Sequence, residues 1–156
     1  MEESGELYSG QCQCGNIRYR IDGEPLTLYA CHCRDCQQQS ASAFGMSMRV
    51  ALDDFELISG GLKFWSTTAD DGSAKICAFC PECGTRIYHA SDNPTELIAI
   101  KAGSLDNISQ FSPVAHIWTK SALQWLEIGN TKTLVYSGQP DDFVDIYKAW
   151  ASRNRQ

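Results

Sequence analysis

The sequence predicts a mainly-β domain with one short helix near its C-terminus, built around bound metal. Three observations lead there. Short apolar segments, several alternating with a period of two, are separated by turn residues along most of the chain. Eight cysteines fall into three clusters rather than being spread out. Only one longer segment, close to the C-terminus, repeats its apolar residues with helical spacing.

Taken in order, "NIRYRIDG" alternates Ile17, Tyr19 and Ile21 with Arg18, Arg20 and Asp22, which predicts a half-buried strand turning at Gly23. "TLYAC" is a short apolar strand running into Cys31, and "RDCQQQS" has room for one or two helical turns after Cys33. "AFGMSMRV", "FELISG" and "LKFWST" have strand character. Gly60-Gly61 predicts a hairpin between the last two, and "DDG" at 70–72 a further turn. "AKICAF" and "TRIYHA" flank a cysteine cluster, "ELIAIKAG" reads as a buried strand, and "AHIWT" and "TLVYSG" close the β series. In "DDFVDIYKAWASRN", Phe143, Ile146, Tyr147 and Trp150 share one helical face, and Pro140 with Asp141-Asp142 suits a helix start. A helix is expected over about 141–152, within one domain of residues 1–156 whose motifs span about 8–126.

A chain of 156 residues buries roughly 68–70% of its unfolded surface and does not need cysteines merely to fold. Its formal charge is −6 with no basic run, a poor match for nucleic acid or an anionic membrane. No apolar run reaches the length of a membrane span, and "MEESGELYSG" is acidic and lacks the apolar core of a signal peptide, so a cytoplasmic protein is expected. In a reducing compartment, clustered thiols point to metal rather than disulfides.

The clusters are Cys12 and Cys14; Cys31, Cys33 and Cys36; and Cys77, Cys80 and Cys83. Thiolates select soft or borderline metals, with zinc the default. "FCPECG" is a knuckle in which Cys80 and Cys83 face one ion and Gly84 supplies an unusual backbone angle. Cys12 and Cys14, read as an extended C-x-C with both side chains on one face, are natural partners for that knuckle. Cys31, Cys33 and Cys36 then form a second, three-ligand site with one position open, the general layout of a catalytic zinc. A fourth ligand there would close it. The candidates are Cys77, His32, His89 and His116, although His32 is expected to point away from the metal and Cys77 to be a buried free thiol. The spacing also leaves open a single ribbon in which Cys33 and Cys36 pair with Cys80 and Cys83.

The stretches "GQCQCGNIRYRI", "CHCRDCQQQSASAF", "FWSTTADDG", "FCPECGTRIY", "IKAGSLDN" and "AHIWTKSALQWL", in that order, resemble the glutathione-dependent formaldehyde-activating enzyme family over residues 10 to about 126. The resemblance implies several coiled antiparallel sheets of the β-tent type. It implies Cys12, Cys14, Cys80 and Cys83 as structural zinc ligands and Cys31, Cys33 and Cys36 as catalytic zinc ligands, two ions per chain. It also implies a carbon–sulfur lyase that joins glutathione and formaldehyde to S-hydroxymethylglutathione, or splits that adduct. Two positions depart from the family pattern. Cys77 stands where relatives often carry a basic residue, and Ala41 where they often carry glycine. Arg34, Arg49, Lys101 and Lys120 are the cations available to an anionic thiol. Competing readings are a non-catalytic zinc module for a protein partner and, last, a thiol reductase, for which only Cys77 remains once seven cysteines are assigned.

Overall fold

The structure, a computed structural model, describes residues 8–69, 72–91, 96–129 and 132–153. It is mainly β, as the alternation predicts. Strands β1 (Tyr8–Gln11), β2 (Arg18–Ile21) and β3 (Thr27–Cys31) precede helix α1 (Arg34–Ser40). Then come β4 (Gly45–Ala51), β5 (Phe55–Ser59), β6 (Lys63–Thr68), β7 (Ala74–Phe79), β8 (Arg86–Ser91) and β9 (Leu97–Lys101). After short 3-10 turns the chain ends in β10 (Ala115–Ile117), β11 (Leu134–Val135) and helix α2 (Val144–Arg153). No helix among the described residues is long and apolar enough to cross a membrane.

The chain divides into two compact units, each discontinuous in sequence. The first takes in residues up to Pro25 and Arg49–Gln110; the second takes in Leu26–Met48 and residues from Phe111 onward.

In the first unit β1, β2 and β5 form an antiparallel sheet, and β6, β7, β8 and β9 form a second antiparallel ladder. The predicted alternation of β2 holds: Tyr19 and Ile21 are fully buried while Arg18 and Arg20 face outward. Tyr19 stacks on Phe55 with ring centroids 5.4 Å apart, and its hydroxyl reaches Ser104 Oγ at 2.7 Å. Burial raises the Tyr19 phenol above its usual range, so it stays a neutral hydrogen-bonding group.

The hairpin expected at Gly60-Gly61 is not formed. β5 pairs with β2, and β6 pairs with β7. Gly60 has φ +81° and passes so close to Asn16 that a Cβ would lie 2.4 Å from the Asn16 carbonyl oxygen. The glycine pair is therefore a point of transfer between sheets, and at Gly60 only glycine fits. The next turn does join a hairpin, β6 to β7, with the Ala69 N–H donating to Ser73 O and the Gly72 N–H to Ala69 O. Asp70 and Asp71 of the predicted "DDG" lie outside the described residues.

In the second unit the strand order is β11, β10, β3, β4. β10 runs parallel to both its neighbours, with Ile117 opposite Cys31 and His116 opposite Val135. All five residues of β3 are buried, which accounts for its continuous apolar run. Helix α2 covers this strand: Phe143 packs on Tyr29 with ring centroids 5.4 Å apart, and Ile146 and Trp150 are buried. The helix starts later than the pattern suggested: the Tyr147 N–H donates to Phe143 O at 2.9 Å, and just before the helix Asp142 Oδ1 accepts the Val144 N–H at 3.0 Å.

Candidate functional site

The first unit brings Cys12, Cys14, Cys80 and Cys83 together, with all four sulfurs within 4.8 Å of one another. Two tight turns present them. The expectation of an extended C-x-C is corrected here: β1 ends at Gln11, and Cys12 begins a turn in which the Gly15 N–H donates to Cys12 O and the Cys12 N–H to Ile17 O. The other turn repeats the device, with the Gly84 N–H donating to Cys80 O and the Cys80 N–H to Thr85 O. Gly15 at φ +81° and Gly84 at φ +79° take the left-handed backbone that both turns require. Backbone amides already point at sulfur, Ile17 N–H at Cys12 and Glu82 N–H at Cys80.

A metal fits this group. Four thiolates at zinc–sulfur distances of ~2.3 Å sit about 3.8 Å apart at the corners of a tetrahedron, and the Cys12–Cys14 and Cys14–Cys80 sulfur separations are 3.6 and 3.8 Å. Thr85 ties the turns together, its Oγ1 accepting the Gln13 N–H at 3.1 Å and lying 3.2 Å from Cys83 Sγ. That hydroxyl is the chief reason the Cys83 thiol is held down, to about 5. Cys14 moves the other way, up to about 12: the Asn16 N–H favours its thiolate, but desolvation and the neighbouring thiols outweigh it. The Cys83 thiol therefore ionises before that of Cys14. Thr85 was not foreseen; nothing in its spacing from the cysteines marks it.

The second unit brings Cys31, Cys33 and Cys36 together, again with all sulfurs within 4.8 Å. Cys31 is the last residue of β3, Cys33 is the N-cap of α1, and Cys36 lies in the first turn of that helix. The Cys33 sulfur accepts the Cys36 N–H at 3.3 Å, so one thiol is both helix cap and member of the triad. The adjoining thiols of Cys33 and Cys36, together with burial, raise the Cys31 thiol strongly. Three sulfhydryls this close resist ionising together unless a cation balances them.

The triad is held from outside. His32 belongs to neither cysteine group and is fully buried. Its Nε2 lies 2.9 Å from Nδ1 of His116, and its N–H donates to Ile117 O at 3.0 Å. Burial pushes His32 down to about 4 and His116 below the usual imidazole range, so both rings are neutral near pH 7 and one donates to the other. The buried Gln37 amide donates to His32 O and Ser121 O, both at 2.9 Å, while its Oε1 accepts from Arg34. Gln37 stands in a run of three glutamines, and sequence alone does not separate it from its neighbours.

Of the proposed fourth ligands, Cys77, His32, His89 and His116 join neither cysteine group. Cys77 is fully buried in β7 opposite Trp65 and His89. Ala41 is the C-cap of α1 with φ 50° and ψ 40°, the left-handed conformation that glycine takes without strain. Among the cations, Lys120 is exposed over the Trp118 ring at 4.8 Å, Arg34 is spent on Gln37, and Lys101 is buried.

The glutathione-dependent formaldehyde-activating enzyme family model matches residues 7–121. A protein of Halomonas elongata, named provisionally as a glutathione-dependent formaldehyde-activating enzyme, is 24% identical over 150 residues, covering 92% of this chain and 95% of its own. A crystal structure of a Rhodobacter sphaeroides protein aligns with a TM-score of 0.49 and 15% identity, covering 82% of this chain and 98% of its own, a likeness too slight to carry an argument.

Proposed function

The chain belongs to the glutathione-dependent formaldehyde-activating enzyme family, and from that premise we propose that it is a zinc-dependent carbon–sulfur lyase acting on a thiol–aldehyde adduct. Glutathione with formaldehyde, giving S-hydroxymethylglutathione, is the pair the family name supplies. The observation that carries the reading is the division of seven cysteines into a set of four and a set of three. Cys12, Cys14, Cys80 and Cys83 would hold one zinc as a structural staple. Cys31, Cys33 and Cys36 would hold a second.

Zinc at the triad would supply Lewis acidity and stabilise a substrate sulfur as thiolate near neutral pH. The remaining work falls to the chain. The cap at Cys33 and the Gln37 amide fix the loop that carries the sulfurs. In the forward direction a sulfur–carbon bond forms to the aldehyde carbon, and the thiol proton ends on the former carbonyl oxygen. In reverse that bond breaks and the proton returns to sulfur. The gain comes chiefly from holding thiol and aldehyde at near-attack distance. A triad of thiolates suits a sulfur substrate better than water, which disfavours general hydrolysis.

The test is exchange between 13C-formaldehyde and S-hydroxymethylglutathione, followed by NMR on protein purified without chelator and analysed for zinc. Two zinc ions per chain and exchange faster than the uncatalysed rate support the reading. One zinc per chain, with no acceleration after zinc is restored, moves the protein to the non-catalytic zinc module.

A further inference from the structure

Strand β6 ends the antiparallel ladder of the first unit. Its register against β7 runs without a shift from Lys63 opposite Phe79 to Thr68 opposite Ala74. The turn that follows fixes which way its backbone points. The Ala69 N–H donates to Ser73 O and the Gly72 N–H to Ala69 O, so Ala69 directs both its backbone groups at the β7 side. The ladder alternates, so Thr67, Trp65 and Lys63 do the same, while Phe64, Ser66 and Thr68 turn their N–H and C=O outward. Among the described residues no hydrogen bond meets those outward groups.

The edges of the smaller sheet in this unit are closed off. β1 is covered by a bridge from Gly10 to Leu105, and the Asp106 N–H donates to Ser9 O at 2.9 Å. β5 meets β2 through a register shift and carries Glu56, ion-paired to Arg20. Covering segments, bulges and charges are the devices that keep sheet edges from associating. β6 has no proline and no shift, and its one charge, Lys63, sits at its end. It leaves Phe64 53% and Trp65 51% exposed, on opposite faces of the strand. The Arg86 guanidinium lies 5.7 Å from the centre of the Trp65 ring and steadies it, so the ring has less freedom to lose on burial.

We propose that β6 pairs antiparallel with β6 of a second copy of this chain, about a two-fold axis through Ser66. The hydrogen-bond pattern selects the register. Outward residues must face outward residues, so the axis lies on a residue and never between two. On Ser66 it sets that residue against its own copy and Phe64 against Thr68 of the second copy, and every outward N–H and C=O is satisfied. On Trp65 or Thr67 it leaves one outward residue of each strand unpaired. The same register favours a second copy over a foreign strand, because the strand is its own complement. Trp65 meets Thr67 of the second copy in the pair type where side chains come closest, Lys63 meets Ala69, and no like charges face each other. The small Ser66 admits its twin at the axis. Two half-exposed aromatic rings from each copy offer on the order of 400 Å² together, and the backbone edge adds to this, which makes a small, reversible interface. The surface lies wholly in the first unit and does not depend on the lyase reading.

Sedimentation equilibrium of the zinc-loaded protein tests this, with Ser66→Lys and Ser66→Pro beside wild type. The β6–β7 ladder uses neither the exposed Ser66 side chain nor its N–H, so both variants keep the fold. Lysine sets two like charges face to face at the axis, and proline removes an outward N–H. Wild type is expected to be mainly dimeric at about 100 μM. Ser66→Lys should weaken association about tenfold or more, and Ser66→Pro should be monomeric, with zinc content and cooperative unfolding kept in both. Amide exchange of wild type, followed by NMR, reads the register: the Phe64, Ser66 and Thr68 N–H groups should slow as the protein is concentrated, and those of Trp65 and Thr67, already bonded to β7, should not change. A wild-type monomer at that concentration overturns the proposal, whether the edge stays open or takes the strand of another protein. A dimer that both variants keep also overturns it. Slowing elsewhere, with Phe64, Ser66 and Thr68 unchanged, overturns it even where a variant fails to fold.

Discussion

His32 and His116 lie 84 residues apart in sequence, yet Nε2 of one sits 2.9 Å from Nδ1 of the other beneath the cysteine triad. The parallel pairing of β3 with β10 makes the contact possible, and the burial of His32 makes it necessary. His116→Ala should strand a fully buried imidazole and cost about 1–3 kcal/mol of stability. Urea unfolding of the zinc-loaded protein measures this. A variant as stable as wild type would mean that the pair is incidental.

The two cysteine groups should respond differently to loss of a ligand. Cys80→Ser removes a member of the set that joins the two turns of the first unit, and should abolish cooperative folding or lower Tm by well over ten degrees, on the order of the several kcal/mol that a structural metal contributes. Cys33→Ser should keep a cooperative transition, lose about one zinc per chain and lose formaldehyde exchange. Zinc content and calorimetric unfolding of both variants check this. Equal unfolding of the two would end the division into structural and catalytic sites.

Arg18 grips Asp106 with two bonds of 3.0 and 2.7 Å, and Ser9 adds a third to the same carboxylate. The guanidinium is the main reason the Asp106 carboxyl is held below its usual value. The unfolded chain therefore binds the Asp106 proton more readily than the folded one. The stabilisation is present above about pH 4 and is lost as pH falls through the lower folded value. Both groups are partly exposed, so it amounts to about 1 kcal/mol at most. Asp106→Asn should lower stability at pH 7 and converge with wild type near pH 2. A constant difference across that range would contradict the assignment.

Ala41 and Gly84 make opposite predictions from one physical rule. Ala41 occupies left-handed backbone at φ 50°, so Ala41→Gly should gain up to about 1 kcal/mol. Gly84 at φ +79° has open space where a Cβ would go, so Gly84→Ala should cost about 1–2 kcal/mol from backbone strain alone. Denaturant midpoints measure both. Equal and opposite shifts are not required, but a sign reversal in either would remove the argument.

Local patterns were legible in the sequence, and partners across the fold were not. "TLYAC" and "RDCQQQS" coincide with β3 and α1 because apolar run, cap and turn are written locally. Spacing and ligand chemistry offered the sets of four and three beside a single ribbon of Cys33, Cys36, Cys80 and Cys83; the family resemblance favoured the former, and the folded chain groups the sulfurs that way. Gly60-Gly61 misled because two glycines announce a change of direction without saying which strand comes next. The C-x-C misled because alternation assumes an extended chain, and Gly15 closes a turn instead. The roles of Thr85, Gln37 and His116 depend on partners that only the folded chain supplies. Lys101 was visible as a cation, and "ELIAIKAG" read as a buried strand, but nothing in the stretch marked the lysine at its end as buried too.

The parallel ladder of β3 and β10 has a consequence for biosynthesis. On the ribosome the Cys31–Cys36 loop emerges first, while His116 and Ser121, which brace it, are translated 84 residues later. For that interval the three thiols have no completed scaffold and remain open to oxidants and to scavenging metals. The loop therefore gains its bracing contacts only once the chain has grown past Ser121, so any metal the triad takes up would meet a finished scaffold only late in maturation.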